Sequence, residues 1–302
     1  MSVSGNLTPK HLALTLLTVL VWGVNFIAVY IGLKDFPPFL LCAIRFGLAA
    51  FPWVFIFPRP KAPLKLIVGF GLFNFAIQFG FLFSGIYLGL SPGLSSLVLQ
   101  TQIFFSMGLA FLIFGEKPNI IKIVGSLISF IGIGIVAAHI NGGASFMGLA
   151  LVLLAAFSWA SGNIFTKKID AQSPLSLVIW GNLVAFPFMV ITSLLVEGPH
   201  AAASSFQNMS WAAIGAVFYI VYLSTHLGYG IWGFLLKTYS TSVVVPFTLL
   251  IPVFAFMSSA IYLGESMPFW KILASLFIMG GLVFNLLEKQ IWKLFGILRG
   301  AR

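Results

Sequence analysis

The sequence predicts an all-α polytopic membrane protein of ten transmembrane helices, arranged as two inverted five-helix repeats. Three observations carry this. First, 60% of the 302 residues are hydrophobic and 7% are charged, against about 25% charge in an ordinary soluble domain. The solvent that suits such a surface is a bilayer. Second, the apolar sequence divides into ten stretches near the ~20 residues that a spanning helix needs. Third, motifs recur. Trp22-Gly23-Val24-Asn25-Phe26 returns as Trp159-Ala160-Ser161-Gly162-Asn163-Ile164-Phe165, and Phe114-Gly115-Glu116-Lys117-Pro118 returns as Leu263-Gly264-Glu265-Ser266-Met267-Pro268. Five spans per copy is an odd number, which turns the second copy upside down in the bilayer.

Span one covers residues 11–33. It is too long for a signal-peptide core and lacks a small-residue cleavage site, so it should remain in place. Pro37-Pro38 open span two (38–57), and Pro58, Pro60 and Pro63 separate it from span three (64–88). Pro92 opens span four (92–114), and Pro118 precedes span five (119–139). Span six (145–167) starts the second copy, and Pro174 opens span seven (174–196). Spans eight (210–236), nine (241–263) and ten (268–287) complete it, the last introduced by Pro268. Proline favours such boundaries because it fits the first helical turn and disrupts the interior. The repeats are therefore 11–139 and 145–287. Residues 288–302 form a basic tail whose Ile291, Leu294, Phe295 and Leu298 share a helical face, as in an interfacial cytoplasmic helix; a frayed basic tail is the alternative. Trp22 to Trp159 is 137 residues, whereas Gly115 to Gly264 is 149, so the second copy has gained 12. The polar stretch Glu197–Asn208 is the expected site, read as an external loop.

Loop charge sets the direction. With the N-terminus in the cytoplasm, thirteen cations lie inside: Lys10, Arg59, Lys61, Lys65, Lys117, Lys122, Lys167, Lys168, Lys237, Lys289, Lys293, Arg299 and Arg302. Only Lys34 and Lys271 lie outside. The positive-inside rule then places both termini in the cytoplasm. The +10 net charge is therefore loop charge. It forms no basic stripe with interleaved aromatics, and nucleic acid is not an expected partner.

Catalysis is not expected either. The six acids, Asp35, Glu116, Asp170, Glu197, Glu265 and Glu288, fall at span ends or in loops. Cys42 is the single cysteine, and the four histidines lack metal-ligand spacing, so neither a disulfide nor a metal or other cofactor is implied. The chain has no Walker motif for an ATP-driven pump.

Polar residues inside spans define the candidate site. Arg45 is the one clear intramembrane charge and should face the bundle or a wet cavity. It would serve there as an anchor for a substrate carboxylate or as a clamp on helix-end carbonyls. Tyr219, Tyr222, His226, Tyr229 and Gly233 follow at spacings of 3, 4, 3 and 4, one face of an ideal helix. That face would line a cavity or form a packed aromatic seam. Asn25, Asn74, Gln78, Gln100, Gln102 and Asn163 are amides that would bind substrate or join helices. Trp22 and Trp159 lie deep at equivalent repeat positions, as cavity wall or core. Spans five and ten carry matched small residues, Gly125-Ser126 and Gly132 against Ala274-Ser275 and Gly281, which suit a scaffold or a weak homodimer contact; a monomer is the other expectation. Pro187, Pro246 and Pro252 fall within spans and are expected to kink or break them.

From about Leu12 to Leu287 the chain resembles the EamA family of the drug/metabolite transporter superfamily. The resemblance rests on Val21-Trp22-Gly23-Val24-Asn25-Phe26, Arg45-Phe46, Pro92 to Gln100, Phe114-Gly115-Glu116, Phe157 to Phe165, and Gly228-Tyr229-Gly230-Ile231-Trp232-Gly233. It implies a central cavity, peripheral helices five and ten, and export of small metabolites across a bacterial inner membrane. The expected function is a secondary transporter working by alternating access. Its cargo would be a small molecule that is amino-acid-like, of cysteine or O-acetylserine type, or amphipathic and drug-like. Without a mid-membrane acid, facilitated diffusion or exchange is expected ahead of proton antiport. The alternative is a non-transporting membrane receptor or scaffold.

Overall fold

The computed structural model describes residues 7–139, 146–169, 173–239, 241–288 and 290. The amphipathic tail face and Asp170 lie outside the described residues. Among the described residues, ten helices are long and apolar enough to cross a membrane: Pro9–Gly32, Pro38–Phe55, Leu64–Tyr87, Pro92–Phe114, Ile120–Ala138, Phe146–Lys168, Pro174–Val196, Trp211–Thr238, Val245–Leu263 and Phe269–Leu286. They are spans one to ten below.

Local chemistry explains the ends. Proline occupies the first turn of spans one, two, four and seven, where its missing N–H costs nothing. Side chains of Thr8, Ser91, Asn119, Ser173 and Ser210 accept a backbone N–H three residues on, each satisfying one orphan donor. Spans four and nine end identically. Gly115 and Gly264 take left-handed φ of 69° and 62°, and the N–H groups of Glu116 and Glu265 bond back to Ala110 and Ser259 carbonyls. That geometry suits glycine.

The bundle pairs each span with the one five places on in several cases. Span two lies along span seven and span five along span ten. The second pairing is close, because a Cβ on Gly125 or Gly132 would strike the carbonyl of Gly281 or Ala274. Ser129 also donates to the Ile278 carbonyl at 2.8 Å. The small residues are thus used within one chain. Span one packs on spans eight and nine, and span six on spans three and four.

Besides the 3-10 turn Trp53–Phe55 that closes span two, four spans depart from regular α-helix, the third and fourth of each five. Span three runs as α-helix over Leu64–Gly71 and then as π-helix over Leu72–Ile77. Span eight does the same, with α-helix over Trp211–Phe218 and π-helix over Tyr219–Gly228. Span four breaks between Pro92–Leu99 and Gln102–Phe114, with tight bonds from Gln100 N–H to Leu97 and Thr101 N–H to Val98. Span nine begins as 3-10 helix over Val245–Leu249 before Leu250–Leu263. Pro246 sits in that segment and Pro252 in the first turn that follows, so both occupy positions that tolerate proline. Pro187, by contrast, lies inside the unbroken helix Pro174–Val196.

One expected loop is helical. Most of Glu197–Asn208 forms the short helix Pro199–Asn208, entered through Gly198 at φ 82°. Its alanine-rich sequence, Pro199-His200-Ala201-Ala202-Ala203, favours helix despite its polarity. Glu197 is not a loop acid. Its carboxylate accepts the N–H groups of Phe39 at 2.7 Å and Leu40 at 2.9 Å, capping the positive end of span two.

Candidate functional site

The irregular segments surround a cavity of about 660 Å³ at the centre of the bundle. It extends to one end of the bundle. Thr166 and Ile169 at the close of span six, Pro174 at the start of span seven, Leu236 near the end of span eight and Val245 at the start of span nine all line it. That end carries Lys65, Lys167, Lys168 and Lys237.

Ten of the twelve candidate residues line the cavity: Trp22, Asn25, Arg45, Asn74, Gln78, Gln100, Gln102, Trp159, Asn163 and Tyr229. Arg45 dominates its electrostatics. The residue is 1% exposed, and no acid is among the lining residues. Its Nη2 lies 3.4 Å from the Thr225 hydroxyl, while Nε and Nη1 have no partner. The guanidinium carbon sits 3.8 Å from the centre of the Phe79 ring, a cation–π contact worth about 2 kcal/mol when desolvated. A buried charge without a counter-ion still costs more than such a contact returns. An arriving anion would relieve that cost.

The amides divide into committed and open groups. Gln100, at the break in span four, donates to the Thr248 carbonyl in the irregular start of span nine at 3.2 Å. Asn163 donates to Gln102 at 3.2 Å and to Ser106 at 3.3 Å. Asn25 Oδ1 and Asn74 Nδ2 are buried and unpartnered, so one acceptor and one donor stand open. Asn74 is held against Gly162, where any Cβ would collide with its amide. The indole N–H of Trp22 donates to the Ser224 carbonyl in the π-helix at 3.1 Å. Its ring packs 5.3 Å from Tyr229 and 5.2 Å from Trp232, giving an aromatic wall.

Tyr222 and His226 stand apart from the other ten. Neither lines the cavity. The 3-4-3-4 spacing assumes an α-helix, but the π-helix of span eight has a wider turn, so these residues rotate away from Tyr229. His226 instead packs 5.1 Å from Trp53 and 5.6 Å from Tyr222. Its ring nitrogens face the carbonyls of Val221 at 3.0 Å and Ala49 at 3.1 Å. Tyr219 is also tied elsewhere, donating to the Val21 carbonyl at 3.0 Å.

Sequence reasoning missed Thr166, Ser224, Trp232 and Thr248 in the lining. For Thr248, the nearby Pro246 was the available signal. The burial of Lys271 and Glu265, read from the sequence as outer-side and span-end charges, was also missed. They form an ion pair of 2.8 Å with side chains only 8% and 9% exposed.

Among the described residues, ten apolar helices around a largely apolar cavity that carries Arg45 and several amides define a multi-pass membrane protein built to hold a small molecule between its spans. The profile of the EamA-like transporter family matches residues 10–138 and again 146–287. The chain belongs to this family. It is 42% identical over 278 residues to the "Probable amino-acid metabolite efflux pump" of Salmonella typhimurium strain LT2, covering 90% of this chain and 93% of the relative. It is 40% identical to the protein of the same description from Escherichia coli strain K12, covering 91% and 94%. It is 21% identical to the "Uncharacterized inner membrane transporter YedA" of Escherichia coli, covering 90% and 89%. One solved crystal structure aligns with a TM-score of 0.64 at 17% identity, covering 93% of this chain and 98% of that one; this likeness shows the fold alone.

Proposed function

We propose that the protein exports small amino-acid-like metabolites across the bacterial inner membrane by alternating access. The observation that carries this reading is Arg45, a buried guanidinium on the cavity wall with two nitrogens unpartnered. It suits a substrate carboxylate. Asn25 Oδ1 and the faces of Trp22, Tyr229 and Trp232 suit an ammonium or an apolar side chain, and Asn74 Nδ2 suits a carbonyl such as that of an acyl group. The names of the relatives from Salmonella and Escherichia coli support an amino-acid metabolite as the cargo class, and within that class the reading takes cargo of the cysteine or O-acetylserine type.

Two inverted repeats supply the mechanism. The π-helices in the third span of each repeat, the breaks in the fourth, and the paired Gly115 and Gly264 endings support this relation. The lysine-rich end is cytoplasmic, both termini are inside, and the cavity faces inward. The protein is not an enzyme; exchange or facilitated diffusion moves the cargo, since the cavity lining holds no acid to carry a proton. It acts as a monomer or as a weak homodimer through the outer faces of spans five and ten.

The test is counterflow in proteoliposomes with a panel of labelled amino acids, their O-acetyl esters and their decarboxylated amines. Carboxylate-bearing compounds are expected to exchange and the amines are not. Arg45→Ala is expected to reduce exchange by about 10-fold to 100-fold, the worth of one charge-assisted contact. Equal exchange of an amino acid and its amine would sink the reading.

A further inference from the structure

The two repeats place the same pair of charges at opposite ends of the bundle and hold them differently. Glu116 and Lys122 return as Glu265 and Lys271 at the 149-residue separation of Gly115 from Gly264. Ser91, the N-cap of span four, returns at the same separation as Ser240, just before span nine. Glu116 and Glu265 stand on the same backbone motif, one residue past a left-handed glycine. Their side chains part there.

Away from the cationic loops the cluster is closed. Glu265 Oε1 accepts from Ser91 Oγ at 2.5 Å and from Lys271 Nζ at 2.8 Å, and Oε2 accepts from Ser259. Lys271 also donates to the Ser266 carbonyl at 3.2 Å. Ser91 begins span four and Glu265 follows span nine, so these bonds join the outer ends of the two broken helices. At the cationic end the counterpart is apart. Glu116 lies 2.5 Å from Lys167 with both side chains 55% exposed. Lys122 pairs instead with Glu288 at 3.2 Å. Glu116, Lys117, Lys122 and Asn285 border a gap of about 210 Å³, and the buried Asn285 Nδ2 has no partner. Between the two ends, Gln100 meets the Thr248 carbonyl where both helices break.

We propose that Glu265, Lys271 and Ser91 are one latch, Glu116 and Lys122 its counterpart, and that the two close alternately as spans four and nine rock about the Gln100–Thr248 contact. The latch residues are positioning residues and touch no cargo. Closure of the first seals the outer end and matches the inward cavity. Closure of the second requires Glu116 to leave Lys167 and Lys122 to leave Glu288. The proposal rests on the alternating-access reading, but its test needs no cargo.

That test follows labelling by a membrane-impermeant maleimide applied to the outside of intact cells. The reporter is Ser96→Cys, a cavity position, in a Cys42→Ser background that removes the single native thiol. Glu265→Gln is expected to speed labelling by about tenfold or more, because losing one side of a buried pair shifts a two-state balance at least that far. Glu116→Gln is expected to slow it below the reporter background. If Glu265→Gln does not insert, the charge exchange Glu265→Lys with Lys271→Glu carries the test, and it is expected to restore slow labelling. Opposite signs for the two glutamates support the latches. An unchanged rate in Glu265→Gln, or acceleration by both substitutions, overturns them, since general loosening moves both alike. Lost counterflow with opposite labelling signs would remove the cargo assignment and leave the latches standing.

Discussion

Arg45 is costly to bury and useful for that reason. Its charge persists in the cavity because guanidinium does not deprotonate, and Phe79 and Thr225 together satisfy only part of it. Replacing it by methionine is therefore expected to abolish selective exchange while raising the thermal midpoint of the purified protein, as buried charges exchanged for apolar groups often do. A lowered midpoint would assign Arg45 to structure. Trp22 makes the opposite case. Gly228 is required beneath its indole, since a Cβ there would lie 2.6 Å from Nε1. Gly228→Ala is expected to destabilise the protein by roughly 1–3 kcal/mol through overpacking, read as a lowered midpoint in thermal unfolding. His226 stands off the cavity, so His226→Gln is expected to leave the response of counterflow to a pH gradient unchanged. A gradient response that disappears with His226 would restore it to the transport path.

At the scale of elements, the connection between spans one and two is fastened to span eight by Asp35. Its carboxylate accepts the hydroxyl and the N–H of Ser210, the latter at 2.7 Å, and these bonds hold its pKa below the ordinary carboxylate value. A depressed folded pKa stabilises above the unfolded value and is lost as pH falls through the folded one. Asp35→Asn is thus expected to lower the unfolding midpoint slightly and constantly above about pH 4, with the difference closing only below it. A difference that vanishes between pH 7 and 5 would contradict the assignment. The element boundaries were legible in the sequence because a bilayer imposes a minimum apolar length and proline marks the ends. The site was legible as far as helical register held. Trp22 and Asn163 reach the cavity from regular α-helix, and Asn74 reaches it from within the π-helix of span three, but the π-helix in span eight turned Tyr222 and His226 away, and no single-sequence period announces an extra residue in a turn. The burial of Lys271 was missed for another reason. Its partner Glu265 stands only six residues earlier, but that carboxylate is itself held by Ser91 from span four, and loop charge counting cannot see a cluster made by folding.

For the whole molecule, both termini are expected in the cytoplasm. A fluorescent protein fused after Arg302 should glow and alkaline phosphatase fused there should be inactive; the reverse would invert every statement about facing. Two equal repeats would also leave two facings of equal energy, a degenerate machine that rests nowhere in particular. Ser259 breaks that degeneracy. Its hydroxyl bonds Glu265 in the outer cluster, whereas the position 149 residues earlier is Ala110, with no hydroxyl to offer Glu116. On the latch proposal, the inequality would favour the outer seal by about the worth of one hydrogen bond to a charge, roughly 1.5–3 kcal/mol. An idle exporter would then wait open to the compartment it empties, guarded against leak from the medium by a single oxygen atom.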